Sequence, residues 1–84
     1  MEHVIVERKG TEPINLEQLR ASACSAAACF RMHRVRHLRS VISADGCRVI
    51  CEFEAPDAES VRRAQNEAGL PYEAVWTAQV FENA

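Results

Sequence analysis

The side chains of this sequence best suited to chemistry are an imidazole and a carboxylate that a predicted hairpin brings together. If the chain turns at Asp45-Gly46, the register of the two strands places His37 opposite Glu54. A carboxylate beside an imidazole raises the pKa of the imidazole and fixes its tautomer, which suits a general base. The sequence therefore predicts an acid–base pair on one face of a sheet.

A second pair of the same residue types lies near the N-terminus. His3 and Glu7 are four residues apart in a predicted strand, so they point to the same face. With His37 and Glu54 they offer two imidazoles and two carboxylates, and imidazole is a ligand that suits nickel, zinc or copper. Arg39, predicted opposite Glu52, would add a positive charge for an anionic ligand. The predicted ligand-binding residues are His3, Glu7, His37, Arg39 and Glu54, and the predicted metal ligands are His3, Glu7, His37 and Glu54.

Three interpretations of these residues remain open at this stage. They could hold a divalent metal, they could line a pocket for a small ligand, or they could form ordinary cross-strand ion pairs on a half-wet surface. The pair formed by Arg39 and Glu52 is by itself typical of such a structural ion pair.

The hydrophobic pattern predicts six elements that would position these groups, in the order strand, helix, strand, strand, helix, strand. The helices are predicted to begin after Asn15 and Asp57, which suit N-caps, and Gly69 is placed to end the second helix. Asp45-Gly46 predicts a two-residue type I′ turn. The predicted strands span residues 3–8, 34–43, 47–55 and 72–81.

This βαββαβ order predicts an α+β, ferredoxin-like fold, with residues 1–84 forming a single domain. Because both crossovers should be right-handed, both helices are expected on one face of a four-stranded antiparallel sheet. The other face would then be open. In the last strand we expect three residues to face the helices and two to face outwards: Trp76, Ala78 and Val80 inside, Val75 and Thr77 outside.

The predicted open face mixes aliphatic and charged residues in a way that suggests a partner. Ile5, Val41 and Ile50 fall among the charged groups named above. Solvent alone does not require those aliphatic side chains, and a dry core would not accept unpaired charges. Two copies that pack open face to open face about a C2 axis satisfy both requirements. We therefore expect a homodimer, in the form of a dimeric α/β barrel, with a polar space between the sheets.

Composition narrows the function classes. The net charge is −2 and the isoelectric point is near 5.9, which argues against a general nucleic-acid binder. The sequence contains no apolar run of about 18 residues, so no membrane span is predicted. The first residues lack the features of a signal peptide, and a cytoplasmic location is therefore expected. The four cysteines are then expected to stay reduced, with Cys51 as a small apolar core residue.

Much of the chain resembles a known family. The segments "VIVER" and "LRSVISADGCRVICEFEAPDAESVRRAQNEAGLP" are similar to those of a widespread family of small bacterial proteins of unknown function, some of them described as nickel-binding. The resemblance implies a ferredoxin-like fold, a dimeric α/β barrel and, as a cofactor, a divalent metal such as nickel. Four positions match the pattern of that family: Glu7, Asp45, Cys51 and Glu54.

Four other positions depart from the pattern. Lys9 and Ala64 stand where the family often has histidine. His37 and Val41 stand where it has tryptophan and tyrosine. A metal site in this chain would therefore be a relocated one that uses His37.

The residues and the resemblance together favour a small dimeric binding protein that holds a small ligand or a divalent metal at its open sheet face. An alternative is a dimeric-barrel enzyme, similar to monooxygenases or isomerases, with His37 as base. A structural dimer without a ligand is a third possibility. Neither a nucleic acid nor a membrane is expected as a partner.

Overall fold

The computed structural model describes residues 1–83 and has the predicted βαββαβ, ferredoxin-like architecture. The elements are β1 Glu2–Lys9, α1 Leu16–Met32, β2 Arg36–Ile42, β3 Arg48–Ala55, α2 Ala58–Glu67 and β4 Ala74–Ala78. One antiparallel sheet has the strand order β2-β3-β1-β4, and its helix-side face packs on α1 and α2. None of the helices in residues 1–83 is long and apolar enough to cross a membrane.

Both helices begin at the predicted capping residues. The Asn15 side chain accepts a hydrogen bond from the Gln18 backbone N–H at 2.9 Å, and the Gln18 side chain accepts one from the Asn15 N–H at 2.9 Å. This reciprocal pair is a capping box, which satisfies two N–H groups that the helix leaves free. The Asp57 carboxylate accepts from the Ser60 N–H at 2.7 Å, and this bond lowers the pKa of Asp57.

Both helices end in a Schellman motif, in which one residue adopts the left-handed conformation. After α1 that residue is Arg34, with φ 61°, and the Val35 N–H reaches back to the Phe30 carbonyl at 2.8 Å. After α2 it is Gly69, with φ 70°, as predicted. Glycine adopts this conformation without strain, whereas arginine does not.

The hydrophobic core lies between the two helices and the sheet. Val4, Val6 and Val61 are completely buried, and the rings of Phe30 and Phe53 meet edge to face with centroids 5.2 Å apart. These residues come from β1, α2, α1 and β3, so the core joins all the layers that the sequence predicted. The predicted burial of Cys51 is confirmed.

The hairpin between β2 and β3 differs from the predicted type I′ turn. The Gly46 N–H donates to the Ser43 carbonyl at 2.9 Å, so the turn is centred one residue earlier. Only Gly46 has a positive φ, whereas type I′ would require one at Asp45 as well. The Asp45 carboxylate explains the difference, because it accepts bonds from the Ser43 hydroxyl at 2.6 Å and the Cys47 N–H at 3.0 Å. These bonds also lower the pKa of Asp45.

A β-bulge in β2 changes the register upstream of the hairpin. From Arg39 onward, β2 pairs with β3 as predicted, but Leu38 is an extra residue that the ladder skips. His37 therefore lies opposite Phe53, and the predicted pairing of His37 with Glu54 is wrong. A bulge of this kind places two residues of one strand against one of its partner, and simple alternation does not anticipate it.

The two faces of β4 are reversed relative to the prediction. Val75 pairs with Val6 and is 9% exposed, whereas Trp76 pairs with Ile5 on the open face and is 45% exposed. Val80 lies beyond the end of β4 and is also exposed. The pattern of β4 was ambiguous because apolar residues occupy both of its faces. Two further residues are reversed in the same way, namely Ala78 and Thr77.

Candidate ligand-binding face

The sheet face that the helices leave uncovered, which we call the open face, carries a central row of four residues. Arg39, Glu52, Ile5 and Trp76 stand side by side across β2, β3, β1 and β4. The rows above and below it hold further polar and apolar side chains. These are Arg36, Glu54, His3 and Ala78 on one side, and Val41, Ile50, Glu7 and Ala74 on the other.

Glu52 is the centre of a polar network on this face. Its carboxylate accepts a hydrogen bond from Arg39 Nε at 2.6 Å and lies 3.0 Å from His3 Nε2. The side chain of Glu52 is only 16% exposed, so these two partners replace much of its hydration. The hydrogen bond from Arg39 is the main reason why the pKa of Glu52 lies below its usual value, and burial opposes it only in part. The network therefore holds an ionised carboxylate between two donors.

A second network fixes the tryptophan. Trp76 Nε1 donates to Glu7 Oε2 at 2.9 Å, and the other oxygen of Glu7 lies 3.6 Å from Arg48. The indole is therefore held by its polar edge while its ring remains 45% exposed. Such a tethered ring is a preorganised apolar surface for a partner or a ligand.

The apolar residues of the open face run between these networks. Ile5 is 8% exposed, whereas Val41 is 51% exposed on the outer strand β2. Ile50 is half-buried beside Val41. The face therefore combines a largely buried centre with exposed apolar side chains at both edges of the sheet.

Of the predicted site residues, four lie on the open face and one does not. Glu54 lies 3.9 Å from Arg36, while His3, Glu7 and Arg39 belong to the networks described above. His37 lies on the helix side, where its ring centroid is 5.2 Å from that of Phe53. Its Nε2 forms a hydrogen bond of 2.7 Å with the Ser40 hydroxyl. A general base at His37 oriented by Glu54 therefore has no support from the geometry.

The predicted metal ligands are not assembled in one chain. His3 and Glu7 are four residues apart along β1, a separation of about 13 Å, and His37 is on the other side of the sheet. Across residues 1–83, no group of three or more histidine, cysteine, aspartate or glutamate side chains is placed to hold a metal ion. The donors of a single chain therefore do not fit nickel.

Sequence reasoning missed two functional candidates. Glu52 was expected only as the ion-pair partner of Arg39, and its contact with His3 crosses from β3 to β1. Trp76 was placed in the core. Its indole N–H was a usable signal, because a buried tryptophan needs an acceptor and Glu7 was the carboxylate expected on the open face of the first strand.

The Cys51 thiol lies away from the open-face networks. Cys51 is buried on the helix side, and its sulfur accepts a hydrogen bond from the Ser40 hydroxyl at 3.1 Å. Burial raises the pKa of the Cys51 thiol, which keeps it protonated at neutral pH.

The fold and this face define a small ferredoxin-like α+β domain with one uncovered sheet face. The profile of the family described as "Nickel responsive protein SCO4226-like" matches residues 5–77, and the chain belongs to this family. Its fold is similar to that in the crystal structure of SCO4226 from Streptomyces coelicolor A3(2), with a TM-score of 0.85 and 20% sequence identity. That likeness covers 95% of this chain and 99% of the other. No curated protein sequence matches the chain.

Proposed function

We propose that this protein is a homodimeric binding protein whose two open faces pack together and enclose a small ligand. One observation carries the proposal: Val41 and Trp76, 51% and 45% exposed, flank Ile5 and Ile50 on the sheet face that no helix covers. Large apolar side chains that are exposed on an uncovered sheet face favour contact with another protein surface. An 84-residue chain also has a thin core of its own, to which a partner adds buried area.

The charges of the open face are compatible with a second copy of the same face. Each lysine and arginine of the open face is matched by a carboxylate, so two identical faces do not carry a net charge of the same sign. Paired charges also cost less to remove from water than single ones. The pairs are Lys9 with Glu73, Arg36 with Glu54, Arg39 with Glu52, and Arg48 with Glu7.

The ligand site in this proposal is the space around the Glu52 network. A C2 axis repeats the network and the tethered indole of Trp76 on both sides of the space. The indole offers an apolar ring surface, while His3, Arg39 and Glu52 offer hydrogen bonds. The favoured ligand is therefore a small molecule with one apolar portion and one polar portion. A divalent metal, which the family description suggests, is the alternative ligand and would need donors from both copies.

Sedimentation velocity across a range of micromolar concentrations tests the dimer. The wild type should sediment as a species of twice the chain mass of 9.4 kDa. Val41→Glu should shift the equilibrium towards the monomer, because it places an unpaired charge within the contact. Met32→Glu is the matched control, since Met32 is 77% exposed at the end of α1 and should have no effect. A wild type that stays monomeric at high micromolar concentration would refute the dimer.

The fluorescence of Trp76 tests the ligand site, because it is the only tryptophan in the chain. A small-molecule library should yield compounds that change its emission and raise the melting temperature. A ligand at 100 times its dissociation constant adds about 2.7 kcal/mol to the free energy of unfolding. The variant Glu52→Gln should bind such compounds with lower affinity than the wild type. Equal affinity of the variant and the wild type would argue against the site. The metal alternative fails if tag-free protein carries no metal and is not stabilised by nickel, zinc or copper.

A further inference from the structure

A second candidate binding site lies on the other side of the sheet. A pocket with a cavity volume of about 30 Å³, which we call the helix-side pocket, opens between the helices and the sheet. Its polar lining consists of hydrogen-bonding groups without a single carboxylate, while Leu19, Phe30 and Leu70 contribute apolar wall. The polar residues are Arg8, Ser22, His37, Ser40 and Gln65.

Two of these polar residues are shielded from bulk solvent to different degrees. Gln65 is 3% exposed, and Arg8 is half-buried on the helix side of β1, opposite Val49. None of the fully enclosed side-chain N and O atoms of residues 1–83 lacks a hydrogen-bond partner, so neither residue carries a buried, unsatisfied atom. Both residues line the pocket, where the polar groups of a ligand can take the place of water as hydrogen-bond partners.

The charge of the pocket indicates the kind of ligand. Arg8 is the arginine of a lining that contains no carboxylate, and Gln65 and Ser22 add hydrogen-bond donors. Arg8 also borders a neighbouring hollow that Glu12 and Glu73 line. A guanidinium binds a carboxylate through two parallel hydrogen bonds. A volume of about 30 Å³ exceeds that needed for one water molecule. It is suited to a head group of a few atoms, such as a carboxylate.

A larger groove continues from the pocket and provides room for the rest of a ligand. It lies between α1 and β2, has a volume of about 300 Å³, and shares Ala23, Phe30 and His37 with the pocket. Ala27, one helical turn after Ala23, and Val35 line it further. The small alanine side chains leave the space beside α1 open, and the apolar part of its lining suits a hydrocarbon. Arg31 and Arg36 also line the groove.

We infer that the helix-side pocket and this groove bind a monocarboxylate with a short apolar tail. The carboxylate lies between Arg8 and Gln65, and the tail runs along α1 past Ala23 and Ala27. This site is separate from the open face, so it does not depend on the dimer or on the ligand proposed there.

Octanoate and its neutral analogue octanamide test the inference on the wild-type protein. Octanoate should bind saturably and shift the amide resonances of Gln65, Ala23 and Ala27 in ¹H–¹⁵N spectra. Octanamide should bind at least about tenfold more weakly, because it lacks the charge that Arg8 recognises. The fluorescence of Trp76 should stay unchanged, which separates this site from the open face. Equal binding of both compounds, no binding of octanoate, or shifts confined to the open face would overturn the inference.

Variants locate the head group and the tail. Arg8→Met should lower the affinity for octanoate by at least about tenfold. Arg20 is an exposed arginine of α1 outside the pocket, so Arg20→Met should leave the affinity unchanged. If Arg8→Met does not fold, Gln65→Leu keeps the head-group test, since it replaces a buried amide with an apolar side chain of similar size. Ala27→Phe should block the tail. Unchanged binding in Gln65→Leu and Ala27→Phe would contradict the assigned site.

Discussion

Replacing Arg34 with glycine should stabilise this protein, and replacing Gly69 with alanine should destabilise it. The two residues hold the same left-handed position after α1 and α2, with φ 61° and φ 70°. A side chain in this conformation costs roughly 1–2 kcal/mol. Glycine avoids that cost but gives the unfolded chain more freedom, which is worth roughly 0.4–1 kcal/mol. The difference predicts that Arg34→Gly raises the free energy of unfolding by about 0.5–1 kcal/mol.

The converse change is equally well defined by the structure. A Cβ at Gly69 would meet no atom within 4 Å, so Gly69→Ala introduces the left-handed strain without a clash. It should lower the free energy of unfolding by about 0.5–1 kcal/mol. Arg34 is exposed, so its replacement removes little packing. The pair of variants therefore isolates the conformational contribution.

Urea denaturation at one fixed protein concentration, followed by far-UV circular dichroism, measures both effects. For a domain of this size, 1 kcal/mol corresponds to a shift of about 4–8 °C in melting temperature. Gly10→Ala is the control, because Gly10 has no positive φ and a Cβ there makes only an ordinary contact at 3.8 Å. A less stable Arg34→Gly variant, together with an unaffected Gly69→Ala variant, would refute the account based on strain.

Three further predictions concern the hairpin, the open face and the bulge. Gly46→Ala should cost more stability than Gly69→Ala in the same denaturation assay, because a Cβ at Gly46 would lie 2.5 Å from the Ile14 carbonyl and φ is 77°. Since folding lowers the pKa of Glu52, its stabilising contribution is present above the pKa of the unfolded state and is lost over the acidic range below it, as the pH falls through the folded pKa. Glu52→Gln should therefore lose less stability over this range than the wild type, and equal losses would contradict the assignment. Deletion of Leu38 should leave a folded protein by circular dichroism, because the ladder skips this residue; an unfolded variant would show that the bulge is required.

The order of the elements could be predicted because each one carries a local signal. The capping box at Asn15, the N-cap at Asp57 and the glycine at position 69 mark helix boundaries through hydrogen bonds and backbone geometry that depend only on neighbouring residues. The second left-handed position, at Arg34, could not be recognised, because arginine is not a residue that signals it. Its conformation follows from the chain having to leave α1 and enter β2.

The faces of the strands were harder to predict, because they depend on contacts between distant parts of the chain. In β4, Val75 and Trp76 are both apolar, and alternation alone does not decide which one enters the core. The pairing with β1 decides it, since Trp76 reaches an acceptor in Glu7 only from the open face. Arg39 and Glu52 were paired correctly because they lie on the hairpin side of the bulge, where the register follows from the turn.

The bulge at Leu38 has a larger consequence for function than any single misplaced residue. It directs His37 to the helix side, where the ring lies against Phe53 and lines the helix-side pocket. The open face loses an imidazole and gains Arg36, so its network is built around Glu52 rather than around a histidine pair. One extra residue in an edge strand therefore separates two candidate sites that the sequence had merged into one. The two sites differ in character, since the open face has balanced charges and an exposed indole, whereas the helix-side pocket has a guanidinium and no carboxylate. For this reason ligands of the two sites should be distinguishable by charge alone, with anionic compounds selecting the helix-side pocket.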